Sequence, residues 1–244
     1  MTFLRRLISI VLPLTVFVFA FCALIYFVVF SRGYLMNRYS AYGTASELSM
    51  TDEDLSAVTG RLVDYVKGRE DSIEIQVSVR GTISDFFNIK DVSHMKDVAG
   101  IIMHIRSIMI ICAVLAAASL FFFIILLRKN KAEEESAIIK KVIATGIIIS
   151  DAIIIFLCIL VVLFANVDLN ALVIFCHRVI FDNSDWLLDP RYDNLIFLCP
   201  EELFIDAGKL CGAVFASLLV LSVAVSIILF PRQSRLRKSR RSEK

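Results

Sequence analysis

Histidine is scarce in this sequence, and the spacings that mark common catalytic machinery are missing. The 244 residues hold three histidines, one tryptophan, four prolines and nine glycines. No G-x-S-x-G elbow, H-E-x-x-H helix or P-loop occurs, which removes the usual signatures of serine hydrolases, zinc proteases and P-loop nucleotidases. Cysteines 22, 112, 158, 176, 199 and 211 form no C-x-x-C and no zinc-like pairing with histidine. Neither a redox dithiol nor a metal site is therefore expected. The most informative absence is charge. Residues 7–31, 107–127 and 210–230 carry none, and 142–167 carry only Asp151.

Apolar side chains fill those stretches: 58% of the chain is hydrophobic and the mean hydropathy is +0.76, above the range of soluble domains. A helix of about 20 residues crosses about 30 Å of hydrocarbon. In lipid the backbone must satisfy its own hydrogen bonds, so each run reads as a membrane-spanning helix. The first run follows MTFLRR as a secretion signal would. It exceeds the about 7–15 residues of a signal core, and no small-x-small cleavage site follows, so a retained helix is expected.

The N-terminus, 128–141 and 231–244 together hold 14 basic and 4 acidic residues, against 12 basic and 19 acidic in 32–106 and 168–209. Basic residues favour the cytoplasmic side, which places both termini there and the two long segments outside. A basic tail beside a helix end is a topology anchor that also attracts anionic lipid; no nucleic-acid partner is expected. The expected order is cytoplasmic N-terminus and first span 1–31, cap segment 32–98, second span 99–127, cytoplasmic loop 128–141, third span 142–167, second cap segment 168–208, fourth span 209–230 and tail 231–244. The fold class is membrane α: a four-transmembrane-helix bundle with a small extracellular α+β cap.

Within the first cap segment, SMTDEDLSAVTGRLVDYVKG places Thr51 as an N-cap with Asp54 three residues on. Leu55, Val58, Leu62, Val63 and Val66 recur at helical spacing, and Gly68 closes the helix. SIEIQVSVRG alternates Ile73, Ile75, Val77 and Val79 with Glu74, Gln76, Ser78 and Arg80, a half-buried strand. Ser93 reads as the N-cap of a helix that runs into the second span. The second cap segment opens with NVDLNALVIFCHRVIF, apolar at helical spacing but too short to span, and is expected at the membrane interface. Then comes DNSDWLLDPRYDNLIFLCPEELF, residues 182–204, with the sole tryptophan and six carboxylates. Indole favours the headgroup level, and Glu201 and Glu202 suit a helix start. Free thiols are expected over a Cys176–Cys199 disulfide.

His94, His104 and His177 all fall on the expected outer side, near membrane entry points. Histidine exchanges protons near neutral pH, although each of the three also has a bland reading as an interfacial polar residue. His94 and Asp97 are three apart on a helix, close enough for the carboxylate to hold a ring nitrogen. His177 stands beside Arg178, four residues before Phe181. His104 follows His94 by about 15 Å of helix, so those two cannot share a small site, and the residues alone do not choose between them. Asp151 costs about 2.5–3.5 kcal/mol on insertion scales. It lies near the cytoplasmic end of its run and is expected to pack or snorkel.

SHMKDV (93–98), FCHRVIFDNSDWLLDP (175–190) and DNLIFLCPEELF (193–204) resemble the bacterial lipoprotein intramolecular transacylase family, Lit. Four spans with an outer cap extend the resemblance over nearly the whole chain. The resemblance implies transfer of the sn-2 acyl chain of a diacylglyceryl-modified lipoprotein to the α-amino group of its N-terminal cysteine. The product is a lyso-form lipoprotein, made at the outer face of the bacterial cytoplasmic membrane. The family's two histidines fall on His94 and His177 and act as acid and base; His104 has no counterpart. In the same reading Phe181 and Trp186 wall the site, and Asp189, Pro190 and Glu201 fix the loop. Asp97, Arg178, Asn183 and Asp185 support it, although the polar residues of DNSDW depart from the family pattern. Lipoproteins and membrane lipid are the expected partners, with no cofactor. The rival readings are a non-enzymatic transporter or assembly subunit with an extracellular cap, although no internal repeat supports transport, and a lipid hydrolase with a histidine-activated water.

Overall fold

The computed structural model describes residues 2–130 and 132–230. Lys131 and the basic tail 231–244, both part of the expected cytoplasmic charge, lie outside the described residues. Four helices are long and apolar enough to cross a membrane. Helix α1 (Thr2–Ala23) continues as a π-helical turn, Leu24–Val29. The others are α5 (Ile89–Lys129), α6 (Glu133–Val167) and α9 (Glu201–Leu229). Large apolar side chains stand exposed along them, Phe156 at 61% and Val220 at 73%. Water does not tolerate apolar faces of that extent, so lipid is their solvent: this is a membrane protein.

The helices overrun the expected spans. Glu133, Glu134 and Glu135 form the first turn of α6, where carboxylates offset the helix dipole. The expected loop 128–141 accordingly shrinks to the residues between Lys129 and Glu133. Pro13 sits well inside α1.

By its contacts the chain divides into two units. One takes in the described residues of Met1–Ala20, Met109–Val167 and Gly212–Lys244. Here α1 and α6 touch backbone to backbone: a Cβ added at Gly146 would fall 2.3 Å from the carbonyl oxygen of Ser9. Ser150 Oγ donates across the same crossing to the Ile10 carbonyl at 3.0 Å. Small residues at such a crossing are how membrane helices gain contact without a hydrophobic drive. Asp151 is buried and accepts from Ser222 Oγ of α9 at 2.8 Å. It is a packing residue, as its place in the sequence suggests.

The other unit, Phe21–Ile108 with Asp168–Cys211, has a conventional core. It holds α2 (Arg32–Tyr42), α3 (Thr44–Glu47), α4 (Asp52–Val66), β1 (Gln76–Val79), β2 (Thr82–Asp85), α7 (Leu169–Ile180) and α8 (Leu195–Leu198). The Thr51 hydroxyl accepts from the Asp54 amide at 3.1 Å, and Gly68 follows the helix at φ +67°. Leu55, Val58, Leu62 and Val66 of α4 pack with Tyr39, Ile73, Phe86, Ile102, Leu195 and Leu198. Ile73, Val77 and Val79 are buried while Glu74 and Gln76 face out, as strand alternation requires. β1 pairs antiparallel with β2 through a turn in which Arg80 and Gly81 both have positive φ. This geometry suits a tight hairpin.

Candidate active site

Two helices of the second unit bring the histidines together. Helix α5 is opened by Asn88, whose side-chain oxygen accepts from the amides of Lys90 (2.8 Å) and Asp91 (2.9 Å). The Asp91 carboxylate reaches back to the Asn88 amide at 3.1 Å, completing a reciprocal cap. Ser93 is thus not the N-cap; it lies in the second turn of the helix, and its hydroxyl donates to Asp185 at 2.6 Å. Helix α7 starts at Asp168, which accepts from the Ala171 amide at 2.9 Å. It has no buried residue.

His94 of α5 and His177 of α7 face each other with ring centroids 6.0 Å apart. Phe181 stands against both, 5.1 Å from the ring of His94 and 5.5 Å from that of His177. Trp186 lies 5.1 Å from His177 on a tilted plane. His177 Nδ1 sits 2.8 Å from the Val173 carbonyl. A carbonyl only accepts, so this nitrogen carries the hydrogen and Nε2 is left as the free position. His94 is buried, and its Nδ1 has no hydrogen-bond partner among the described residues. His104 hydrogen-bonds the Gly100 carbonyl of its own helix at 2.8 Å and joins none of these contacts.

Asp97 does not hold His94, despite the helical spacing. Its carboxylate accepts from Asn183 Nδ2 at 2.7 Å, so it braces the loop instead. Asn183 in turn accepts from the Asp185 amide through Oδ1 (3.0 Å) and from Trp186 Nε1 through its backbone carbonyl (2.9 Å). Asp97, Ser93, Asn183 and Asp185 therefore fix the indole that lines the histidine pair.

Further along the loop, Asp189 pairs with Arg191 at 2.6 Å. That guanidinium, with the Arg191 amide, holds the Asp189 carboxyl at about 2. Asp193 is the loop's inner anchor. It accepts from the Asp189 amide (2.6 Å), from Asn88 Nδ2 (2.7 Å) and from Lys90 Nζ (3.4 Å). Burial works against its charge, but these donors outweigh burial and hold it below the ordinary carboxylate value. Lys90 also donates to the Leu187 carbonyl. Asn88, Lys90 and Asp193 escaped the sequence reading, although N-I-K-D has a capping spacing that was open to it.

Arg178 and Glu201 are exposed, and neither has an ion pair or side-chain hydrogen bond among the described residues. Cys176 is exposed and Cys199 half-buried, and no disulfide joins them. Among the described residues no cluster of His, Cys, Asp or Glu is arranged to hold a metal ion.

The family model described as "Lipoprotein intramolecular transacylase Lit" matches residues 7–204, a stretch that contains the whole histidine site. Among curated proteins none matches the chain by sequence. Three solved structures share the fold, all of the membrane integral lipoprotein intramolecular transacylase Lit from Bacillus cereus. One is 18% identical, with 99% of this chain and 100% of that chain covered and a TM-score of 0.55. A histidine-to-arginine variant is 20% identical, with 100% and 96% covered and a TM-score of 0.59. A histidine-to-alanine variant is 19% identical, with 99% and 97% covered and a TM-score of 0.55. With a four-span fold and a family match over most of its length, the chain belongs to the lipoprotein intramolecular transacylase family, Lit, and is an acyltransferase.

Proposed function

We propose that this protein moves the sn-2 acyl chain of an S-diacylglyceryl lipoprotein onto the α-amino group of its N-terminal cysteine, with His94 and His177 carrying the protons. The observation behind this reading is the meeting of two imidazoles from distant parts of the chain, 6.0 Å apart under Phe181 and Trp186. The α-ammonium, with an ordinary pKa near 8, first gives one proton to solvent. The amine nitrogen then forms the new C–N bond and passes its second proton to one imidazole. As the ester C–O bond breaks, the glyceryl oxygen takes a proton from the other imidazole. Charging both rings at 6.0 Å costs about 3 kcal/mol at an effective dielectric of about 20. The doubly charged pair is thus disfavoured, which leaves at least one ring neutral to accept the amine proton.

No enzyme nucleophile is required, because amine and ester belong to one substrate. The acceleration rests largely on folding the two together. The aromatic wall keeps water from the ester. The excess of carboxylates over basic residues in 32–106 and 168–209 supports an outward-facing site with both termini in the cytoplasm.

Mass spectrometry of a lipoprotein N-terminal peptide, from cells making diacyl lipoproteins with and without this protein, tests the reading. One acyl chain on nitrogen is expected, lost in His94→Ala and His177→Ala and kept in His104→Ala. An unchanged diacyl peptide, with the protein present in the membrane, overturns the proposal in favour of a non-enzymatic role. A peptide short of one chain, with none on nitrogen, makes the protein a hydrolase.

A further inference from the structure

An open cleft of about 270 Å³ lies in the same unit, lined by Ser31, Arg32, Gly60, Val63, Asp64, Lys67 and Arg69. Its cations are in an unusual state. Lys67 is only 7% exposed; its amide donates to the Val63 carbonyl, and among the described residues its ammonium makes no salt bridge and no hydrogen bond. Its ammonium lies over the Tyr26 ring at 5.0 Å. Burial, and next the Arg69 guanidinium, lower its pKa from the ordinary value, while the Asp64 carboxylate works the other way. Arg32 is also without a carboxylate; it donates to the Ser56 hydroxyl at 2.6 and 3.2 Å. Only Arg69 is paired, with Asp64 at 3.2 Å. Three positive groups therefore line the cleft against one carboxylate.

Two further features suit an anion. Ser31 caps α2, so that helix presents its amide end and positive dipole to the cleft. Ser31 and Arg32 also follow directly on the apolar span Phe3–Val29, which sets the cleft at the level where lipid headgroups begin. Nothing in the acyl-transfer chemistry uses these residues, and the diacylglyceryl substrate carries no phosphate.

We propose that this cleft binds a phosphate group, held by Lys67, Arg32 and Arg69 at the amide end of α2, and that a membrane phospholipid supplies it. The test is native mass spectrometry of the full chain released from micelles, titrated with phosphatidylglycerol, with uncharged diacylglycerol, or with inorganic phosphate. Wild type is expected to retain one phosphatidylglycerol and not diacylglycerol. Arg32→Gln and Lys67→Met should each weaken retention at least tenfold, while Lys140→Gln, an exposed cation of α6, leaves it unchanged.

Arg32 is exposed, so its variant carries the test even if Lys67→Met fails to fold. Displacement of phosphatidylglycerol by inorganic phosphate at matched concentration keeps the site but assigns its anion to the soluble pool. Equal retention by wild type and Arg32→Gln, or an equal loss in Lys140→Gln, overturns the proposal. Acyl transfer by these variants is a separate readout, so failure of this site leaves the histidine reading untouched.

Discussion

Exchanging the charge between Asp97 and Asn183 tests whether the brace between helix α5 and the tryptophan loop positions the histidine pair. Asn183 Nδ2 donates to the Asp97 carboxylate at 2.7 Å, and the backbone carbonyl of Asn183 receives the Trp186 indole N–H at 2.9 Å. A hydrogen bond to a charged group contributes about 1.5–3 kcal/mol. Asn183 is exposed and Asp97 half-buried, so water recovers part of that and the lower end applies. Asn183→Ala should therefore slow acyl transfer about tenfold.

Asn183→Asp should do worse, because two carboxylates at about 4 Å repel by about 4 kcal/mol at an effective dielectric of about 20 and drive the loop off the helix. The double variant Asp97→Asn with Asn183→Asp restores a donor and an acceptor with the charge reversed. It also keeps an oxygen for the Asp185 amide. It should recover to within about threefold of wild type, the coupling a double-mutant cycle detects. The assay is the rate of N-acyl peptide formation by mass spectrometry, read beside emission from the chain's single tryptophan. A double variant no better than its worse parent, or an unaffected Asn183→Ala, would refute the reasoning.

His104→Gln should keep acyl transfer within about twofold of wild type in the same assay, since His104 lies about 15 Å of helix from His94 and bonds only its own backbone. Gly146→Ala forces a Cβ to 2.3 Å from the Ser9 carbonyl, so α1 and α6 must part; a loss of about 1–3 kcal/mol should appear as a lower Tm in detergent. Thr51→Ala removes the cap bond to Asp54 and should cost about 1 kcal/mol in the same measurement. Asp189 sits at about 2 when folded, against its ordinary 3.8. A carboxyl depressed in this way stabilises the loop above about pH 4 and loses that contribution as pH falls toward 2. Tryptophan emission should report an acid transition in that window, shallower in Asp189→Asn.

Local signals were the legible ones. Four uncharged or nearly uncharged runs announce four helices because lipid leaves the backbone no other partner. Thr51, Asp54 and Gly68 mark helix ends by bonds that span only a few residues. The 73–79 alternation gives the strand because one face is buried. Thr82–Asp85 carries no such alternation, since all four residues are exposed, and its turn lacks the common Asn-Gly or Asp-Gly pair. Helix α2 was hidden for a similar reason: only Leu35 and Tyr39 of its eleven residues are buried.

In the site, the resemblance carried by the sequence blocks named both histidines and the aromatic wall. Spacing placed Asp97 on the face of His94, but its partner, Asn183, comes from a segment 86 residues away. No window of sequence contains that choice. Arg178 and Glu201 make no ion pair or side-chain hydrogen bond among the described residues.

Helix α7 bears His177, one ring of the histidine pair, and has no buried residue of its own. Phe175 and Val179 are exposed at 64% and 68%, so the surface that steadies this helix is the bilayer. The membrane is in that sense a structural part of the catalyst. Extraction into a thin micelle can leave the core around Tyr39 and Leu198 intact while the His177 ring loses its aim. Retained fold and lost turnover in detergent would then describe a missing solvent, and returning the protein to a bilayer should restore the rate without any refolding.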